Sequence, residues 1–213
     1  MFADLEEKYR PQSLDDYVFP NTNVEQIVRA YGRGKMTRPL ILCGTHGTGK
    51  SLLAELIPKQ IEGFAPVVEH VKAVDFRNKK EVLAKFTHNK QFDKLFTHNG
   101  QRYNYNILEE IDFDSNVNKA MRVALEEHRG VDITIITTNE IGSIDAGIQS
   151  RCEVLEVPPV EPALFLQRAK DIIAGEGFDI DEDALLEALE AAFELRPENR
   201  SYYKKLDMLM HSV

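Results

Sequence analysis

The eight residues Gly44-Thr45-His46-Gly47-Thr48-Gly49-Lys50-Ser51 constrain this chain more than any other stretch. They fit the pattern G-x-x-x-x-G-K-[ST] at every fixed position, with an apolar run, PLILCG, leading in and a helix-period run, KSLLAELI, leading out. A strand, a glycine turn and a helix in that order make a backbone cradle for phosphate. The glycines let backbone N–H groups face the phosphate oxygens. Lys50 brings a point charge to the β- and γ-phosphates, and the Ser51 hydroxyl can enter a Mg²⁺ shell. Kinases, GTPases and motor ATPases share such a loop, so the rest of the chain must select among them.

Short apolar strands alternate with helical stretches along the chain. That pattern predicts an α/β fold with a mostly parallel sheet flanked by helices. NVEQIVRAYGRG reads as a helix capped near Asn21 or Asn23 and closed at Gly32 or Gly34, and KSLLAELI as a helix ended by Pro58. APVVEHV, DITIITT and EVLEV read as strands, and NKKEVLAKF and SNVNKAMRVALEEHRG as helices. PPVEP breaks the chain like a domain boundary, and three helix-like segments follow at 161–175, 181–195 and 198–212. The expected division is a nucleotide-binding α/β domain over residues 1–158 and a small all-helical domain over 159–213. FTHN occurs at 86–89 and again at 96–99, as a short repeat or as coincidence.

Composition removes several classes. At 213 residues, with 43% hydrophobic and 29% charged side chains, the chain is that of a globular protein. No apolar run approaches the ~20 residues of a membrane helix, and the polar start MFADLEEKYRPQSL is not a secretory signal. Cys43 and Cys152 stand far apart without metal-ligand spacing, which points to reduced thiols in a cytoplasmic setting and away from zinc. The net charge of −9 disfavours non-specific nucleic-acid binding by the chain as a whole. The region from Lys72 to Arg102 is nevertheless basic, as a surface for DNA or a protein client or as a solvated charged face.

Taken in order, EEKYRPQSLDDYV, the phosphate loop, LEEID, TTNE, IQSRCEV and PENRSYYKKLD resemble the AAA+ ATPases, and in particular the small ATPase subunits of sliding-clamp loaders. KYRP together with SRC is the more specific part of that likeness, which runs from Glu7 to about Leu209. The resemblance implies an AAA+ P-loop fold with a helical lid, and it assigns roles. Tyr9, Arg10, Pro11 and Val18, with Lys8, would lie near the adenine. Glu109 would direct Mg²⁺, itself or through a water, and Glu110 would polarise the attacking water. Asn139 would be the polar sensor, Arg151 the arginine finger for a neighbouring subunit's nucleotide, and Arg200 the lid arginine. Phosphoryl transfer needs charge stabilisation and an oriented water more than covalent chemistry, so each assignment has a physical purpose.

The chain departs from this family in two places. Glu109 stands where Asp is usual, and the preceding strand, RYNYNIL, carries Asn104 and Asn106 where an apolar run is expected; the strand is therefore short, partly exposed or beside an insertion. Little follows the third C-terminal helix, so the helical collar of clamp-loader subunits is not expected, a compactness that suits a phage or plasmid protein. The implied activity is hydrolysis of Mg-ATP by a nucleotide-dependent homo-oligomer or ring. Its implied partners are further copies of itself, DNA, and a sliding clamp or other replication protein, with no membrane. A nucleotide-gated assembly module with slow turnover is the alternative. A small-molecule kinase leaves TTNE and SRC unexplained.

Overall fold

The computed structural model describes residues 5–72, 100–109, 115–127 and 130–212. A short helix α1 (Leu5–Lys8) precedes α2 (Thr22–Gly32), β1 (Leu40–Cys43), α3 (Lys50–Glu62) and β2 (Val68–Lys72). Then come β3 (Asn104–Glu109), α4 (Ser115–Glu127), β4 (Asp132–Thr138), α5 (Ala146–Gln149) and β5 (Glu153–Glu156). Three helices complete the described chain: α6 (Pro162–Gly175), α7 (Glu182–Leu195) and α8 (Asn199–Ser212). Each lies within one residue at either end of its expected span.

The five strands form one parallel sheet in the order β2-β3-β4-β1-β5. Parallel strands covered on both faces must be apolar nearly throughout. All four residues of β1 are apolar and buried accordingly, and all seven of β4 are buried although Asp132, Thr134, Thr137 and Thr138 are polar. Side chains alternate between the faces. Leu40, Leu42, Tyr105, Ile107, Ile133 and Ile135 pack with Val24, Val28 and Tyr31 of α2 and Leu53, Ile57 and Ile61 of α3. Ile41, Val71, Leu108 and Ile136 face the other way, onto Val117, Ala120, Met121 and Ala124 of α4. The C-terminal helices enclose a third core, where Phe165 stacks on Tyr202 with ring centres 4.6 Å apart and Leu5 of α1 joins them.

Two expectations are corrected here. Pro58 does not end its helix: α3 runs on to Glu62 and closes at Gly63, whose N–H donates to the Lys59 carbonyl from a left-handed backbone (φ 78°). Proline removes one backbone hydrogen bond, but the stripe Leu53, Ile57, Ile61 continues at four-residue spacing, and burial of Ile57 and Ile61 holds the last turn. The asparagine-bearing strand β3 is neither short nor exposed along its middle: it is longer than β1, β2 and β5. It lies between β2 and β4 with its four middle residues buried. Asn104 donates to Asp132 at 3.0 Å, the Tyr105 hydroxyl donates to Glu62 at 2.5 Å, and the buried Asn106 amide nitrogen has no partner among the described residues. The α2 cap is Asn21, whose side chain accepts from the Val24 N–H at 2.9 Å. NKKEVLAKF, both FTHN copies and most of the basic region from Lys72 to Arg102 lie outside the described residues.

Candidate nucleotide-binding site

The phosphate loop leaves β1 and enters α3 at the carboxyl ends of the strands, where open α/β sheets place their ligands. Its glycines answer to close packing. Gly44 (φ 144°) lies against the Val157 carbonyl, Gly47 (φ 72°) against Glu198, and Gly49 (φ 92°) against the Tyr17 hydroxyl. A Cβ at any of the three would collide with its neighbour. Lys50 is only 7% exposed, and its ammonium donates to the carbonyls of Gly44 at 2.8 Å and Thr45 at 2.6 Å. The loop is thus curled around its own cation. Thr48 is fully buried, and its carbonyl accepts from both the Tyr17 hydroxyl and the Asn199 side chain, each at 3.1 Å.

A cleft of about 610 Å³ opens beside the loop, between the strand ends and the C-terminal helices. Of the sequence-predicted residues, His46, Gly47, Gly49, Lys50, Ser51, Arg10, Pro11, Val18, Glu109, Asn139 and Arg200 all line it. Register explains part of this convergence: Glu109 ends β3 opposite Thr137 of β4, and Asn139 follows Thr138 directly. The cleft therefore has a wall made by the glycine loop and Lys50, a carboxylate and a polar amide, and an apolar wall of Pro11, Val18 and Phe165. Ser51 and Glu109 present oxygen donors, the type a hard cation such as Mg²⁺ takes. Among the described residues, no group of three or more His, Cys, Asp and Glu side chains could hold a metal ion.

Outside the phosphate loop, the described residues Lys8, Tyr9 and Arg151 do not line the cleft. The Tyr9 hydroxyl donates to Glu176 at 2.6 Å and the Tyr9 carbonyl accepts from Arg168, tying the N-terminal segment to α6. Arg151 lies away from its own chain's cleft, with Nη1 on the Gly147 carbonyl at 2.8 Å and Nη2 on Glu126 at 2.9 Å. Glu110 lies outside the described residues. Arg200 reaches the cleft but is engaged by Glu6 at 3.0 Å, with its side chain 61% exposed.

Several cleft residues were not singled out from the sequence. Tyr17, Asp16, Arg168, Asn199 and Tyr203 all line it. Tyr17 and Asp16 adjoin Val18, and Asn199 adjoins Arg200, so adjacency was the available signal. For Arg168, an arginine on an amphipathic helix, there was none. Hydrogen bonds from Ser13 and backbone N–H groups hold the Asp16 carboxyl below its ordinary range. Burial pushes the Tyr203 hydroxyl up, opposed by Arg168. Burial also raises the Cys43 thiol and pushes Cys152 up to about 12, so both are packing residues without thiolate chemistry near neutral pH.

Comparison with known proteins places this geometry. Over 182 residues the chain is 29% identical to the Replication factor C small subunit of Aeropyrum pernix, covering 84% of this chain and 55% of that protein. It is 27% identical to Replication factor C subunit 3 of Oryza sativa subsp. japonica, covering 84% and 50%. The chain thus spans about half the length of the curated relatives it matches. The fold superposes on the RuvB Holliday junction branch migration motor of Thermotoga maritima with a TM-score of 0.62 at 16% identity, covering 96% of this chain and 72% of that one. A point mutant of the same protein gives a TM-score of 0.71 at 18% identity, covering 96% and 68%. Residues 40–159, more than half of the chain, match the model of the ATPase family associated with various cellular activities. The chain belongs to that family, known as AAA.

Proposed function

We propose that this chain binds Mg-ATP in the cleft and hydrolyses it as a clamp-loader-like ATPase, at sites completed by a neighbouring subunit, in DNA replication or another DNA transaction. The observation that carries this reading is the convergence of Lys50, Ser51, Glu109, Asn139 and Arg200 on one cleft at the carboxyl ends of the strands. Lys50 and the loop N–H groups take the β- and γ-phosphates. Ser51 and Glu109 hold the cation, Glu109 directly or through a water that absorbs its extra methylene. Asn139 orients the attacking water, and Glu110, next in the chain to Glu109, polarises it. Arg10, Pro11 and Val18 flank the base. The three C-terminal helices act as a lid that carries Arg200 to the phosphates.

The position of Arg151 supports a shared site. It lies away from its own cleft, so any nucleotide it serves belongs to another subunit. Arginine fingers raise phosphoryl-transfer rates by roughly 10³–10⁵. The likeness to Replication factor C subunits supports DNA and a sliding clamp as clients, and further copies of the chain as the other subunits.

The test is ATP turnover against protein concentration, with and without primed DNA, for the wild type, Glu110→Gln, and a mixture of Arg151→Ala with Lys50→Ala. The expected result is turnover that rises more than linearly with concentration and is lost in Glu110→Gln while nucleotide binding survives. The mixture should recover part of the activity, because one subunit supplies the loop and the other the finger. Nucleotide binding without measurable turnover would overturn the hydrolytic reading and leave a nucleotide-gated assembly module, and turnover indifferent to Glu110 and Arg151 would overturn their roles and the shared site.

A further inference from the structure

Asn199 makes three hydrogen bonds that no motif requires. Its backbone N–H donates to the Gly47 carbonyl at 3.0 Å, and its side-chain amide donates to the Thr48 carbonyl at 3.1 Å. Its side-chain oxygen accepts from the Val160 N–H, also at 3.0 Å. Gly47 and Thr48 lie within the phosphate loop. Val160, fully buried, lies in the connection between β5 and α6, and its carbonyl accepts from the Tyr202 hydroxyl at 2.6 Å. One side chain therefore joins the phosphate loop, the joint between sheet and C-terminal helices, and the first residue of α8. The next residue, Arg200, lines the cleft.

We infer that Asn199 is a positioning residue, a latch that fixes the C-terminal helices on the phosphate loop and sets the loop for nucleotide. This inference rests on the proposed nucleotide binding. A buried carbonyl that loses its donor is costly, and the Thr48 carbonyl, within the fully buried Thr48, accepts from Tyr17 and Asn199. Movement of the loop on filling is felt at Asn199, and through it at the joint and at Arg200. The latch thus couples phosphate occupancy to the helices by direct hydrogen bonds.

Asn199→Asp separates this role from a structural one. Aspartate retains an acceptor for the Val160 N–H and is favoured in the first turn of a helix, where the macrodipole welcomes a negative charge. It cannot donate to the Thr48 carbonyl and sets a carboxylate against it. Binding of a fluorescent ADP or ATP analogue and thermal melting are measured for the wild type, Asn199→Asp and Asn199→Ala. The expected result is a roughly tenfold loss of affinity in both variants, the uncharged Asn199→Ala included, with Asn199→Asp melting above Asn199→Ala. The nucleotide-induced rise in melting temperature should shrink in both. Affinity in Asn199→Asp equal to the wild type overturns the inference and leaves a local structural role. If Asn199→Asp does not fold, Asn199→Ser, which keeps a helix-starting hydroxyl but is too short to span both partners, must show the same loss. A wild type that binds neither nucleotide overturns the proposed function, a different result from a wild type that binds and a variant that matches it.

Discussion

Lys50 and Arg200 bring their charges to the same cleft but are held in opposite ways. Lys50 is buried, wrapped by two carbonyls of its own loop, on a helix whose first turn is fixed by the sheet. Arg200 is mostly exposed and, among the described residues, held by an ion pair to Glu6, from an element nearly two hundred positions away in sequence. The difference separates preorganisation from delivery. A loop built by the fold has its donors in place before phosphate arrives, whereas a cation on a peripheral helix must be brought in and must let go of its resting partner. The first kind of group contributes to binding at all times. The second reports on the arrangement of the parts.

The comparison breaks at once if Lys50→Ala binds nucleotide well. Removing a charged donor from a largely buried loop should weaken binding on the order of a hundredfold, by equilibrium titration with a fluorescent nucleotide. The fold should survive, because the Gly44 and Thr45 carbonyls that the lysine holds belong to the loop and not to the core. An affinity within a few-fold of the wild type would move the phosphates away from the loop.

Stability tests the same contrast without nucleotide. Gly44→Ala places a Cβ against the Val157 backbone carbonyl at positive φ, so both strain and clash apply. Its expected cost is about 3 kcal/mol in urea unfolding. Gly63→Ala, also at positive φ but with open space around it, should cost about 1 kcal/mol, the conformational part alone. Equal costs would show that close packing of the loop on the end of β5 contributes nothing.

What could be read in the sequence divides along similar lines. The loop, the strand DITIITT and the three C-terminal helices are local patterns, in which period and capping carry the information, and they appear where expected. Pro58 misleads because a local breaker is outweighed by the burial of Ile57 and Ile61, which depends on where the sheet lies. Asn104 looks out of place in a central strand until Asp132 is seen beside it. Asn199 was invisible for a stronger reason. Its amide meets Thr48 across 151 positions, and an asparagine at a helix start reads as an ordinary cap. For Tyr9 the motif implies a place near the base, while its hydroxyl donates to Glu176.

Arg200→Ala tests the delivered cation. With a side chain more exposed than buried, Arg200 can lend the phosphates only a solvent-screened interaction, so the expected loss in nucleotide affinity is tenfold or less, well short of that for Lys50→Ala. A larger loss would mean that the C-terminal helices close far more tightly on filling than their position here suggests.

Glu6→Gln carries the smallest expected effect and the most informative sign. Glu6 lines the cleft and holds Arg200, so its carboxylate both occupies the cation and repels an incoming phosphate. Neutralising it should tighten nucleotide binding, by no more than about fivefold, because an exposed ion pair contributes roughly 0–1 kcal/mol. The gain should fade with added salt, since screening weakens both effects together. In Arg200→Ala the same substitution should give a smaller gain, because only the repulsion is left to remove. Weaker binding in Glu6→Gln would reverse the argument: Glu6 would then be orienting Arg200 for the phosphate and not withholding it, and Arg200 would count among the preorganised groups.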